Sequence, residues 1–319
     1  MMRIGFHASH EQISPRQLLE DVRHAEQAGF DMAMCSDHMA PWSQRQGHSG
    51  YTWAWLGAAL ATTDLTLGCV SAPGQRYHPA VHAQKIATLG QMFPGRFWVA
   101  LGSGENMNEH VTGDRWPTKE VRTRRLEECV GIIRRLLAGE EVTHDGLVAV
   151  DRARVWERAD PTPLLVGPAV SVASASRVAA WADGLVTINQ PVETLRELLD
   201  AYREAGGRGR ASLQVHLSWA PTEAEAEAIA VDQWRSNVFS EPVNWDTATP
   251  EGFDVASEHV GPDVVRQHCL VSSDLGQLRD RVAELAAVGF DDVYLHFVGQ
   301  HQAPFLDTFG EQVLPGLRG

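Results

Sequence analysis

Read from its N-terminus, the chain alternates between short apolar runs of strand length and longer stretches with helical spacing, and it does so almost throughout. Strand-like runs fall at 3–8, 31–36, 65–70, 96–101, 164–167, 184–188, 213–219 and 292–298. Between and after them lie helix-like stretches at 15–28, 52–62, 79–92, 119–138, 171–182, 192–205, 222–235, 275–288 and 303–313. The first of these is typical. Ser14 can cap it, Pro15 suits its first turn, Leu18, Leu19, Val22 and Ala25 share one face, and Gly29 stops it. Eight strands, each followed by a helix, predict a parallel (β/α)8 TIM barrel. An open doubly wound sheet would want a G-x-G-x-x-G after an early strand. Gly102-Ser103-Gly104 follows the fourth strand instead, with no third glycine at that spacing.

The alternation breaks twice. Residues 141–158 read as a hairpin turning at Asp145-Gly146, and residues 237–262 read as an irregular, lid-like insertion over the barrel mouth. No change of composition marks a second domain, so one barrel domain over 1–319 is expected.

In a closed parallel barrel the C-terminal strand ends share one face, and active sites are built there. Three strand ends here carry reactive or backbone-exposing residues with one polarity. They are Ser36-Asp37-His38, Ser71-Ala72-Pro73-Gly74 and Gly102-Ser103-Gly104-Glu105. An acid beside an imidazole can tune it for proton transfer near neutral pH, and Glu105 can give or take a proton. Taken alone, Asp37-His38 could equally be a capped turn and the glycines a plain loop. Trp42 can wall a pocket, whereas Trp53 and Trp55 read as packing. His7, His10 and Glu11 follow the first strand. They read as pocket lining, since no H-x-H or H-E-x-x-H metal pattern is present. Arg76, before a helix opening at Pro79, could hold an anion or simply be solvated. No G-x-S-x-G elbow is present.

A net charge of -14 argues against a nucleic-acid or anionic-membrane surface. Lys85 and Lys119 are the only lysines, so a ligand anion must be met by Arg, His, hydroxyl or backbone N–H groups. Cys35, Cys69, Cys129 and Cys269 show no C-x-x-C spacing and read as buried thiols of a cytoplasmic protein. Neither a signal-like core nor a membrane-length apolar run is seen.

Together with Ala28-Gly29-Phe30-Asp31, Arg76-Tyr77-His78-Pro79-Ala80, Phe93-Pro94-Gly95-Arg96, Asn108-Glu109 and Ala182-Asp183-Gly184, these motifs resemble the luciferase-like flavin and deazaflavin oxidoreductases. The subgroup most resembled is the one that holds the coenzyme F420-dependent glucose-6-phosphate dehydrogenases. The resemblance implies a cytoplasmic TIM-barrel homodimer that binds FMN or coenzyme F420 at its C-terminal face. In it, Asp37, Val70, Ser71, Gly104 and Glu105 would meet the cofactor. The loop of Gly167, Pro168, Ala169, Val170 and Ser171 would hold the cofactor phosphate through backbone N–H groups. His38 and Glu105 would handle protons, with Trp42 beside them. Glu11, His7, Trp42 and Arg76 would line the substrate side. A non-prolyl cis peptide would fall around Cys69-Val70-Ser71.

Departures from the subgroup matter. Val170-Ser171 stand where it has Gly-Gly, and neither lysine lies in the stretches that carry its sugar-phosphate contacts. Glucose 6-phosphate is therefore not the expected substrate. FMN is favoured over F420, for a flavin-dependent oxidoreductase or monooxygenase acting on a small organic substrate, with a flavin reductase as the partner if reduced flavin meets O2. Rival readings are an F420-dependent dehydrogenase, a flavin carrier without turnover, and a zinc-dependent barrel hydrolase using His7, His10 and His38.

Overall fold

The computed structural model describes residues 2–318. Eight strands form its centre: β1 (Arg3–Ala8), β2 (Met32–Ser36), β3 (Thr66–Ser71), β4 (Phe97–Leu101), β5 (Leu164–Pro168), β6 (Gly184–Ile188), β7 (Arg210–Ser218) and β8 (Asp292–Phe297). Each pairs in parallel with the next, and β8 pairs with β1, so the sheet closes on itself. Closure removes the open edges and gathers all eight C-terminal ends on one face.

Side-chain alternation sorts the core into two layers. Ala33, Cys35, Leu67 and Cys69 point outward into the large cluster under the helices, which Leu18, Val22, Leu56 and Ile86 complete. Met32, Met34, Trp98, Ala100, Val166, Val186 and Tyr294 fill the barrel interior. Trp98 fits because its neighbour on β3 is Gly68, where an added Cβ would sit 1.9 Å from Trp98 Cζ2. We expect Gly68→Ala to cost about 1–3 kcal/mol or more of stability through overpacking. Urea unfolding monitored by Trp fluorescence checks this, and an unchanged midpoint would show that the barrel interior can relax.

The expected elements form with boundary shifts of a few residues, and the hairpin at Val142–Asp145 and Ala149–Ala153 is antiparallel. The 237–262 stretch is more regular than expected. It contains the helices Val243–Asp246 and Pro250–Ala256, and the helix Pro262–His268 follows it. Thr249 caps the second and Pro250 and Pro262 open theirs, while the turns between them hide the periodicity that would mark longer helices. A two-residue strand, Leu270–Val271, then pairs with Leu217 and Ser218 of β7. All four cysteines are unpaired and buried. The peptide bonds at Cys69-Val70-Ser71 are trans, against expectation, in a strand whose register with β2 and β4 is regular. Among the described residues, no helix is long and apolar enough to cross a membrane.

Candidate active site

A cavity of ≈ 380 Å³ opens at the C-terminal face of the barrel. Its centre is His38, two residues beyond β2. His38 Nδ1 lies 2.8 Å from Glu11 Oε1, and its Nε2 lies 3.5 Å from Glu105 Oε2. Three loops therefore bring three titratable groups to one point. Ser9 Oγ donates to the other oxygen of Glu11 at 2.8 Å. Asn108 ties the β2 and β4 loops together, since its Nδ2 donates to Glu105 at 3.0 Å and its Oδ1 accepts from Met39 N at 2.8 Å. Gly104 turns the chain into Glu105 at φ +85, in the left-handed region.

The electrostatics of this trio follow from burial and charge. Burial alone would depress His38, but the charges of Glu11 and Glu105 outweigh it and lift the imidazolium to about 9. Burial pushes the Glu11 carboxyl up, but His38 overcomes that by charge and hydrogen bond and brings it to about 2. For Glu105 burial wins, helped by repulsion from Glu11 and Glu109, and its carboxyl is raised despite His38. The site thus holds a charged His38–Glu11 pair beside a second carboxyl, Glu105, whose proton affinity burial raises. Two carboxyls in different environments serve different proton roles.

Asp37 is fixed beneath this trio. Its Oδ2 accepts from Trp53 Nε1 at 2.8 Å and Ser71 Oγ at 2.7 Å, and its Oδ1 accepts from Tyr77 Oη at 3.2 Å. Trp53 is thus more than packing, while Trp55 is buried with its ring edge-on to His10 at 4.8 Å. Arg76 is not free to meet a ligand. Its guanidinium donates to the Asp37 carbonyl at 2.6 Å and faces Glu109 at 3.7 Å, with 9% of the side chain exposed. Lys85 lies behind Asp37, its Nζ 3.1 Å from the Tyr77 ring centroid and 4.9 Å from that of Trp53. Burial lowers it to about 8.

Trp42 lines the cavity, its ring 5.4 Å from His38 and 5.2 Å from Phe253 of the helix Pro250–Ala256. Asn237, Phe239, Glu241, Asn244 and Trp245 line the same cavity from the 237–262 stretch. Lys119 reaches the cavity but is paired with Glu241. Arg122 also lines it and lies 3.5 Å from Asp246.

Of the residues expected at a cofactor, Asp37, Val70, Ser71, Gly104, Glu105, Ala169 and Val170 line the cavity. Gly167 and Ser171 do not. Gly167 lies within β5, where a Cβ would meet Val178 at 2.5 Å, and Ser171 caps the helix Val172–Val178. The N–H of Ala169 is taken up by Val186 O at 3.0 Å and Pro168 has none, so among the loop residues that line the cavity the expected backbone cradle narrows to Val170. A flavin-type ring needs apolar walls and a buried acid–base set at one edge. Val70, Ala72, Val170 and Val186 supply the walls, and the His38 trio supplies the set. Among the described residues, no three His, Cys, Asp or Glu side chains are arranged to hold a metal ion.

Residues missed from sequence also line the cavity, among them Gln214 and His216 on β7, His296 on β8, and Trp234. Gln214, His216 and Ser218 alternate with Leu213, Val215 and Leu217, a period-two polar face that could have marked an inward row.

The chain is 36% identical to an F420-dependent glucose-6-phosphate dehydrogenase of Beutenbergia cavernae, over 100% of this chain and 98% of that one. Among solved structures it is similar to an F420-dependent secondary alcohol dehydrogenase in complex with an F420-acetone adduct. That match has a TM-score of 0.92 and 28% identity, and covers 100% of this chain and 99% of that one. Monooxygenase RslO1 from Streptomyces bottropensis shares the fold, with a TM-score of 0.77, 20% identity and 99% of each chain covered. The family model for luciferase-like monooxygenases matches residues 1–292. With a closed barrel, a buried acid–base trio at its mouth and these relatives, the chain belongs to the luciferase-like monooxygenase family and is an oxidoreductase of that class.

Proposed function

We propose that this protein is a coenzyme F420-dependent dehydrogenase or reductase that interconverts a small neutral alcohol and its carbonyl form. The observation that carries the reading is His38, held between Glu11 at 2.8 Å and Glu105 at 3.5 Å inside a cavity with apolar walls. Alcohol oxidation releases a hydride and a proton, and such a trio handles the proton in a dry pocket. The bound deazaflavin would supply hydride acceptance and donation. The relatives at 36% and 28% identity are named for F420, while the monooxygenase neighbour at 20% speaks only for the fold. That reverses the preference for FMN drawn from sequence.

In this reading His38 takes the proton of the hydroxyl group at Nε2 when the alcohol is oxidised. As an imidazolium it returns that proton in the reverse direction. Glu11 orients the ring and stabilises its charge. Glu105, buried and raised, holds or gives a second proton, and Trp42 shields the pair from water. A neutral substrate suits the walls, because both lysine and arginine side chains that line the cavity are already paired, with Glu241 and Asp246. A phosphate would have to break those pairs.

Titration of the purified chain with F420 and with FMN tests the reading. We expect F420 to bind at least tenfold more tightly and to be reduced on addition of a secondary alcohol. Tight FMN binding, with the reduced enzyme consuming O2, would overturn it in favour of a monooxygenase fed by a flavin reductase.

A further inference from the structure

The floor of the cavity is a row of imidazoles that the proposed chemistry does not use. His7 on β1, His296 on β8 and His216 on β7 come from three consecutive strands. His296 pairs in register with His216, and its ring stacks on His7 with centroids 4.2 Å apart. All three are buried and line the cavity. Desolvation keeps them neutral, holding His7 at about 4, His216 at about 3 and His296 well below its usual range.

The hydrogen bonds of two of them are committed. Gln214 Nε2 lies 3.0 Å from His216 Nε2 and 3.3 Å from His296 Nδ1, so one amide group donates to both. His296 Nε2 lies 2.9 Å from Gln12 Oε1, which makes it the donor nitrogen of that ring. His7 differs, because neither of its nitrogens meets a protein partner although its residue is 2% exposed. A neutral imidazole offers one donor and one acceptor, and leaving both unsatisfied in a buried site is costly. A hydroxyl or carbonyl oxygen is the group such a nitrogen accommodates.

His7 and His38 are anchored at different levels of the barrel. His7 lies within β1 and pairs in register with Met34, whereas His38 lies two residues beyond the end of β2 and turns Nε2 toward Glu105 of the β4 loop. An oxygen held at His38 Nε2 therefore leaves the His7 nitrogens open to another.

We infer that His7 is a specificity residue that binds a second, non-reacting oxygen of the substrate, so that the cavity takes a neutral diol or hydroxyketone with its oxygens several bonds apart. The inference rests on the alcohol–carbonyl reading above and names the class of alcohol. Gln214 and Gln12 act as positioning residues, fixing the His296 ring on which His7 stacks.

The test uses hexane-2,5-diol and hexan-2-ol, which differ by one distal hydroxyl. Dissociation constants are measured by calorimetry on the full chain loaded with F420, and oxidation is followed separately. In the wild type the diol should bind about tenfold more tightly, the worth of one neutral hydrogen bond. His7→Phe keeps the ring stacking and removes both nitrogens, so it should abolish the preference of the diol over hexan-2-ol. His7→Gln should restore part of it. If His7→Phe fails to fold, 15N shifts of the His7 ring in the wild type provide the readout, and diol but not hexan-2-ol should move them. Equal wild-type affinities, a preference that survives His7→Phe, or unmoved His7 shifts would overturn the inference. Intact binding preference without F420-dependent oxidation of either alcohol would instead overturn the proposed reaction and leave the subsite standing.

Discussion

In a His38→Asn variant, oxidation of an alcohol will slow by about 10²–10⁴-fold, the usual worth of a positioned acid–base group. Cofactor affinity will change by no more than a few-fold. Among the described residues, His38 is the imidazole that makes ion-pair contact with both Glu11 and Glu105. Asparagine keeps a polar side chain of similar reach but cannot take a proton. The pH profile adds a second signature. Oxidation needs neutral His38, whose imidazolium persists to about 9 because Glu11 and Glu105 surround it. Wild-type oxidation should therefore rise with pH toward about 9, carbonyl reduction should fall over the same range, and the variant should lose that limb. Unchanged turnover in the variant would remove His38 from the chemistry.

Acid will unfold this protein unusually early. His7, His82, His216 and His296 are fully buried, and desolvation holds His7 at about 4, His82 and His216 at about 3, and His296 well below its usual range. In the unfolded chain each takes up a proton near pH 6.5. Between pH 6.5 and about 4 the unfolded state therefore binds more protons, and stability falls as pH falls. Each histidine contributes up to about 1.4 kcal/mol per pH unit, so the four together reach about 5 kcal/mol per unit. That is enough to exhaust the stability of an ordinary domain within two pH units. His38 acts with the opposite sign. Its folded value is raised to about 9, so its contribution is complete below pH 6.5 and is lost as pH rises to about 9. Stability should peak near pH 6.5–7. Urea midpoints at pH 5, 6, 7 and 8.5 measure this, and a flat profile from pH 7 to 5 would mean that the buried histidines protonate without unfolding the chain.

Much of this was legible in the chain. Strand and helix periodicities are local, because they reflect side-chain alternation and backbone hydrogen bonds within a few residues. For that reason the segments 52–62, 79–92 and 184–188 were placed with the boundaries the structure has. Asp37-His38 and Glu105 were found because a barrel puts every strand's C-terminal end on one face, a rule that needs no coordinates. The 237–262 stretch was misread because its helices are only four and seven residues long, too short to show a helical period.

What the sequence determined by itself is the barrel, the face on which the cavity opens and the place of Asp37, His38 and Glu105 in its lining. What only the tertiary structure decided is which of those residues meet. Trp53 donates to Asp37, Asn108 bridges two loops, Arg76 is taken up by Asp37 and Glu109, and His7 stacks on His296 across most of the chain's length. None of these pairings has a local signal. The first three follow from the register of β2, β3 and β4 and the segments that leave them, and the stack of His7 on His296 follows from the register in which β8 closes onto β1.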